Sequence, residues 1–160
     1  MAWVSVYLGL GSNQGDRAEA LREAVRRLDI ALGTRHSALS RFFETKSWGF
    51  DGPDFLNACV RYRLVRRGSP ADHGMEILRV CKEIEREMGR RGEPRYSASG
   101  ERLYQDRPID IDILYYGTEI IDTELLKVPH PLIGEREFVK MPLREIAKPP
   151  LKAAFPDIFA

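Results

Sequence analysis

The chain has 160 residues, 43% hydrophobic and 31% charged, with a formal net charge of +1. That length suits one domain, residues 1–160, with a core of its own, and the balance is that of a soluble globular protein. A net charge this near zero excludes a global field that draws the chain to nucleic acid or to an anionic membrane, so phosphate binding has to come from local arginines. No apolar run approaches about 20 residues, so nothing in the sequence spans a membrane. Cys59 and Cys81 lie in apolar settings (NACV, LRVCKEI) and form no CxxC pair. They read as reduced, buried small residues of a cytoplasmic protein. The N-terminus has no basic leader and runs directly into a strand-like segment, which argues against a signal peptide.

Residues 3–10 are rich in Val, Tyr, Trp and Leu and predict a first strand ending at Gly9-Leu10-Gly11. A loop follows, then a helix opened by a capping box of Asp16 and Glu19 and closed at Gly33. Leu21, Ala24, Val25, Leu28 and Leu32 form its stripe. Residues 37–43 predict a weaker strand, 44–53 a loop, and 55–64 another strand. Ser69-Pro70 opens a second helix whose stripe is Ile77, Leu78, Cys81, Ile84 and Met88. Residues 89–105 have no periodicity and carry Arg90, Arg91, Arg95 and Arg102; a loop this long in a compact domain is functional or mobile. Residues 106–116, DRPIDIDILYY, predict a strand, 119–121 a short extra one, and 128–132 a rigid turn. Residues 134–139 and 142–147 predict two short helical pieces, and the Pro-rich tail from 149 is expected on the surface. The order strand–helix–strand–strand–helix–strand is that of an α+β, ferredoxin-like βαββαβ antiparallel sheet with both helices on one face. The last 45 or so residues then have to cover the other face, which left bare exposes a large apolar patch.

The strand at 106–116 carries the strongest chemical signal. Side chains on a strand swap faces at each residue, so Asp110 and Asp112 point the same way about 7 Å apart, with Ile109, Ile111 and Ile113 opposite. Two carboxylates on one strand face repel unless a cation lies between them, and magnesium takes one or two carboxylates plus phosphate oxygens. Arg107 precedes the pair, so the residues point to a magnesium–polyphosphate site. His130, fixed between two prolines, can donate to a phosphate oxygen, and Arg136 offers a guanidinium fork nearby. His36 and His73 have no such neighbours and read as surface residues. Phe55, Asn57 and Phe138 can hold a flat heterocycle, with rings on its faces and an amide on its edge. The loop GLGSNQGD is neither GxGxxG nor a Walker A loop, since it lacks Lys-Ser/Thr, and reads as a tight turn able to approach a ligand. No spacing suggests zinc, and no Ser or Cys lies in a nucleophile elbow.

In order and spacing, YLGLGSNQGD, DFLNACV, DRPIDIDIL, VPHP and the run from Phe138 to Ile146 resemble the 6-hydroxymethyl-7,8-dihydropterin pyrophosphokinase family. The resemblance covers residues 7–146 and is most specific at 106–114. It implies transfer of the terminal pyrophosphate of ATP to the pterin's hydroxymethyl group, with release of AMP, in folate biosynthesis. It also implies that Asp110 and Asp112 ligate two magnesium ions. Phe55 and Phe138 would sandwich the pterin, Asn57 would bond its edge, and Thr45 and Trp48 would line its site through backbone. Glu85, Arg107, Ile113, His130 and Arg136 fall on the ATP side, with Arg90 and Arg107 on the transferring group. The proton acceptor is left open between the two aspartates and a metal-acidified alcohol. Phe55 stands where the family often has Tyr, Tyr104 where it often has Trp, and Lys82 where some members have Gln. The 90–107 loop is longer than usual and is expected to close over ATP. The partners are then ATP and the pterin, for a cytoplasmic monomer that binds neither nucleic acid nor membrane. A competing RNA-binding module shares the βαββαβ order, but FLNACVRY does not match its aromatic motif. A non-catalytic sensor on the same fold has no need of paired carboxylates.

Overall fold

β1 (Trp3–Ser12) lies between β4 (Phe55–Val65) and β5 (Asp110–Tyr116), antiparallel to both. Two short strands, β2 (Ala38–Leu39) and β3 (Phe43–Thr45), pair with β4 on its other side. The sheet of five strands therefore has β2 and β3 at one edge and β5 at the other. Its two long helices, α1 (Arg17–Leu32) and α2 (Pro70–Glu87), complete an α+β, ferredoxin-like fold of the expected order. The structure is a computed structural model and describes residues 2–46, 54–89, 98–99 and 108–159.

Local sequence explains the ends of these elements. The Asp16 carboxylate accepts from the Glu19 N–H at 3.1 Å, and Gly33 closes α1 at φ 73°. The expected capping box is only half made, because the Glu19 side chain turns to Arg22 and Arg26. Ser69 caps α2 by accepting from Asp72 N at 3.1 Å, with Pro70 in the first turn. The weak strand predicted at 37–43 is two strands in fact. Ser40 stands between them, its N–H donating to the Cys59 carbonyl and its hydroxyl accepting from Cys59 N. β6 (Ile121–Asp122) pairs with β7 (Lys127–Val128) as a small hairpin where one extra strand was expected.

One face of the sheet packs on the helices. Val6, Leu8 and Leu10, with Val60, Tyr62, Ile111 and Ile113, meet Leu21, Val25 and Leu28 of α1 and Ile77, Cys81 and Ile84 of α2. On the other face Tyr7, Cys59, Leu114 and Tyr115 meet Ile133, Leu143, Ile146 and Leu151. Both cysteines are free and buried. A bulge divides β5. Leu8 pairs with Ile113 but Tyr7 with Tyr115, so Leu114 is the extra residue. Asp110 and Asp112 therefore share a face with Leu114 and Tyr115, which are apolar and covered.

The cover comes from the C-terminal residues. A 3₁₀ turn (Ile133–Glu135) leads into α3 (Glu137–Ile146), then α4 (Pro149–Ala154) and α5 (Pro156–Phe159). Two expectations are corrected here. Pro142 lies inside one continuous helix and does not split two pieces. Its missing N–H and ring cost about 3 kcal/mol in an isolated helix, but here Pro142, Leu143 and Ile146 are buried, and packing outweighs propensity. The Pro-rich tail is helical, with prolines in the first turn of α4 and at the start of α5 where the missing donor is harmless, and Leu151 enters the second core. Because Leu143 is fully buried, Leu143→Ala is expected to destabilise by about 2–5 kcal/mol, read from the urea midpoint.

The histidines also differ from expectation. His73 is buried, with Nδ1 2.7 Å from the Tyr116 hydroxyl, and His36 Nδ1 lies 3.1 Å from the Asp29 carboxylate. His73 falls at four-residue spacing from Ile77 and Cys81, and so on the buried stripe of α2.

Candidate active site

The site is built on the β1 end of the second face. Register sets Gly11 opposite Asn57 on one side and Asp110 on the other, and Gly9 opposite Cys59 and Asp112. Bare backbone therefore separates the amide on β4 from the carboxylates on β5. At Gly11 an added Cβ lies 3.0 Å from Asn57 Oδ1 and 3.5 Å from Phe55 Cδ1. Only a glycine lets both groups lean over β1 this closely. The tight turn expected over GLGSNQGD starts later, because β1 continues through Ser12. The two glycines are strand residues, and their role follows from register.

Asn57 is 6% exposed, and its Nδ2 donates to Thr45 Oγ1 at 2.7 Å. With the nitrogen end held, Oδ1 is the end presented above Gly11. Phe55 is half-buried beside it, paired across the strands with Thr45. Phe138 is half-buried in the first turn of α3, which lies against β3 and β4. The Arg136 guanidinium sits 5.7 Å from the Phe138 ring centroid. Asn57, Phe55 and Thr45 are thus brought together, with Phe138 on the helix that packs over their strands.

The acidic side of the site is held from α2. Glu85 is 2% exposed, and its Oε2 accepts from the backbone N–H of Ile111 at 2.8 Å. Ile111 lies between the two aspartates, so this bond fixes the β5 backbone that carries them. Lys82 Nζ approaches Glu85 Oε1 at 3.4 Å. Burial pushes the Asp112 carboxyl up to about 7, helped by repulsion from Asp110 and then Glu85, while Lys82 and Arg136 pull the other way. Two carboxylates that repel one another along a strand are relieved by a cation between them. Among the described residues no group of three or more His, Cys, Asp or Glu forms a metal cluster. A pair of carboxylates fits a hard cation that takes its other ligands from phosphate and water, which is the habit of magnesium.

His130 follows β7, after a cis Val128–Pro129 peptide. Its N–H donates to the Leu114 carbonyl at 3.1 Å, and its Nδ1 accepts from Leu132 N at 3.2 Å. With Nδ1 as acceptor the ring proton is on Nε2, a donor. Burial, then Arg136, lower the ring's pKa, so the neutral form prevails near pH 7, while Asp110 opposes this. Ile113 is buried on the helix side of the sheet, so its side chain faces away from the aspartates. Trp48, Arg90 and Arg107, with Arg91, Arg95, Arg102 and Tyr104, lie outside the described residues, as does most of the loop expected to close over ATP.

The model of one protein family, 7,8-dihydro-6-hydroxymethylpterin-pyrophosphokinase (HPPK), matches residues 7–148. The chain belongs to the HPPK family. Curated relatives agree. A 2-amino-4-hydroxy-6-hydroxymethyldihydropteridine pyrophosphokinase of Porphyromonas gingivalis is 44% identical over 144 residues, covering 89% of this chain and 90% of the relative. The protein of the same name from Aquifex aeolicus is 40% identical over 144 residues, covering 89% and 79%. A folate synthesis bifunctional protein of Arabidopsis thaliana is 40% identical over 144 residues, 88% of this chain but 26% of that protein. The HPPK match spans β1 to α3 and so includes every site residue named above.

Proposed function

We propose that this chain transfers the terminal pyrophosphate of ATP to the hydroxymethyl group of 6-hydroxymethyl-7,8-dihydropterin, releasing AMP, in folate biosynthesis. Transfer of pyrophosphate to the pterin is the reaction of its family. The observation that carries the reading onto these residues is the row Asn57–Gly11–Asp110, which puts an amide and a carboxylate on either side of bare backbone.

The pterin lies between Phe55 and Phe138, with its edge N–H donating to Asn57 Oδ1. Thr45 and Trp48 line the same site. Asp110 and Asp112 hold two magnesium ions, Glu85 holds the strand that carries them, and His130 Nε2–H and Arg136 bind phosphate oxygens. Bound magnesium supplies charge neutralisation on the polyphosphate. Arg90 and Arg107 bear on the transferring group, and the 90–107 loop excludes water. With its side chain in the core, Ile113 has only its backbone to offer the nucleotide. Attack at the β-phosphorus depends on charge neutralisation and in-line placement more than on a strong base. Residues 1–160 act as one domain and as a cytoplasmic monomer, without nucleic acid or membrane. Among the described residues no helix is long and apolar enough to cross a membrane.

Purified chain with ATP and magnesium is expected to form AMP only when the pterin is added. AMP formed at the same rate without the pterin overturns the reading. The glycine floor gives a separate test. Gly11→Ala puts a methyl group 3.0 Å from Asn57 Oδ1. It is expected to raise the pterin KM by about tenfold and to destabilise the fold by about 1–3 kcal/mol, so KM is measured well below the variant's own thermal midpoint. An unaltered pterin KM removes Gly11 from the site.

A further inference from the structure

The walls of the pterin half of the site come from distant parts of the chain. One is the edge of the sheet, where Thr45 on β3 holds Asn57 on β4. The other is α3, whose first turn carries Phe138. The C-terminal end of α3 is tied to the middle of the sheet, at the level where Tyr7 pairs with Arg61. Arg61 Nη1 donates to the Ile146 carbonyl, and Lys148 N donates to the Tyr7 hydroxyl at 3.0 Å. Glu145 reaches instead to the edge. Its Oε1 accepts from the backbone N–H of Arg41 at 2.9 Å, and its Oε2 accepts from Arg41 Nε at 2.7 Å.

Arg41 lies between β2 and β3, and its guanidinium sits 5.6 Å from the ring centroid of Phe43, the cross-strand partner of Asn57. Thr45 follows four residues after Arg41, about 13 Å of chain at full extension. On α3, Glu145 stands seven residues after Phe138. Seven residues are nearly two turns, so the two side chains lie on one line of the helix, about 10 Å apart along its axis. One carboxylate thus fixes the helix two turns from Phe138 and the strand four residues from Thr45. The ion pair itself contributes little, since the Arg41 side chain is 81% exposed. The bond from the Arg41 N–H is charge-assisted and holds backbone, and it is the chief reason that the Glu145 carboxyl lies below its ordinary pKa.

We propose that Glu145 is a positioning residue for the pterin: through the Arg41 N–H it sets the gap between Phe138 and the Thr45–Asn57 pair. The assignment rests on the pyrophosphate transfer proposed above, and it places Glu145 in the service of the pterin and not of ATP. The ATP side is held by other bonds, from Ile111 N to Glu85 and from His130 N to the Leu114 carbonyl.

The test measures KM for the pterin and for ATP in the full chain and its variants, each assayed well below its own thermal midpoint. Glu145→Ala is expected to raise the pterin KM by about fivefold or more and to leave the ATP KM within about twofold, because a displaced wall weakens only the ligand it holds. Arg41→Ala keeps the backbone N–H and is expected to stay within about twofold of the parent on both. Glu145→Gln keeps an acceptor oxygen for that N–H and is expected to recover most of the loss. Should Glu145→Ala fail to fold, Glu145→Asp takes its place with the same expected split, its charge kept and its reach shortened by one methylene. An unaltered pterin KM in the folded variant, equal rises in both KM values, a loss as large in Arg41→Ala, or no recovery in Glu145→Gln overturns the role of Glu145 and leaves the proposed function standing. A parent without pterin-dependent AMP overturns both.

Discussion

Replacing Asp110 and Asp112 together with alanine is expected to lower pterin-dependent AMP formation by about 10³-fold or more, with the fold intact. Removing one preorganised group that stabilises transition-state charge typically costs about 10²–10³-fold, and this change removes both side chains proposed to hold magnesium. The structure explains why the fold survives. Both aspartates are half-buried at the open end of the second face, while the apolar cover lies beyond the bulge at Leu114. The β5 backbone keeps its bond from Ile111 N to Glu85. The readouts are AMP release at saturating ATP, magnesium and pterin, and the urea midpoint of the same sample. A folded double variant within about tenfold of the parent rate removes these carboxylates from the chemistry and leaves the metal site without protein ligands.

Much of this site was legible because strand alternation is a hard geometric rule. Once 110–116 is a strand, Asp110 and Asp112 must share a face, and the structure agrees. Asn57 opposite the strand's apolar parity and His130 between prolines were legible for similar reasons. What the sequence hid depends on contacts between distant segments. Gly11 acquires its role only when β1 is set in register against both Asn57 and Asp110. Glu85 sits beside Ile84 on a helix stripe, and nothing local says that its carboxylate will reach Ile111 of another element. His73 was misjudged by weighing its sequence neighbours and not its place on the buried stripe. Pro142 shows the opposite failure, a sound local rule overridden by the burial of Leu143 and Ile146.

The carboxylates proposed to hold magnesium also weigh against the fold, and pH exposes this. Asp112 has an ordinary carboxyl pKa of 3.8 when unfolded and is pushed up to about 7 in the folded chain. Between those values the folded protein holds a proton that the unfolded chain has released. Raising the pH through this window therefore shifts the balance toward unfolding, and below it the effect vanishes. At 1.36 kcal/mol per pKa unit the upper bound is about 4 kcal/mol, and a half-buried carboxylate that can reach water will give less, about 1–3 kcal/mol. His130 has a lowered pKa and titrates in the opposite sense, favouring the folded state as pH rises, so the total curve mixes both. The difference between parent and Asp112→Asn isolates the carboxylate, because the amide keeps the shape and cannot ionise. In chelator, urea midpoints are expected to coincide near pH 4 and to diverge toward pH 8, with the variant more stable by about 1–3 kcal/mol. Magnesium then separates repulsion from simple burial. It binds only the folded site and stabilises by mass action, so adding it at pH 8 raises the parent's midpoint and leaves the variant's nearly unmoved. Parallel pH curves for the two proteins mean that Asp112 is not held at raised pKa, and the argument for a cation from carboxylate repulsion fails with it.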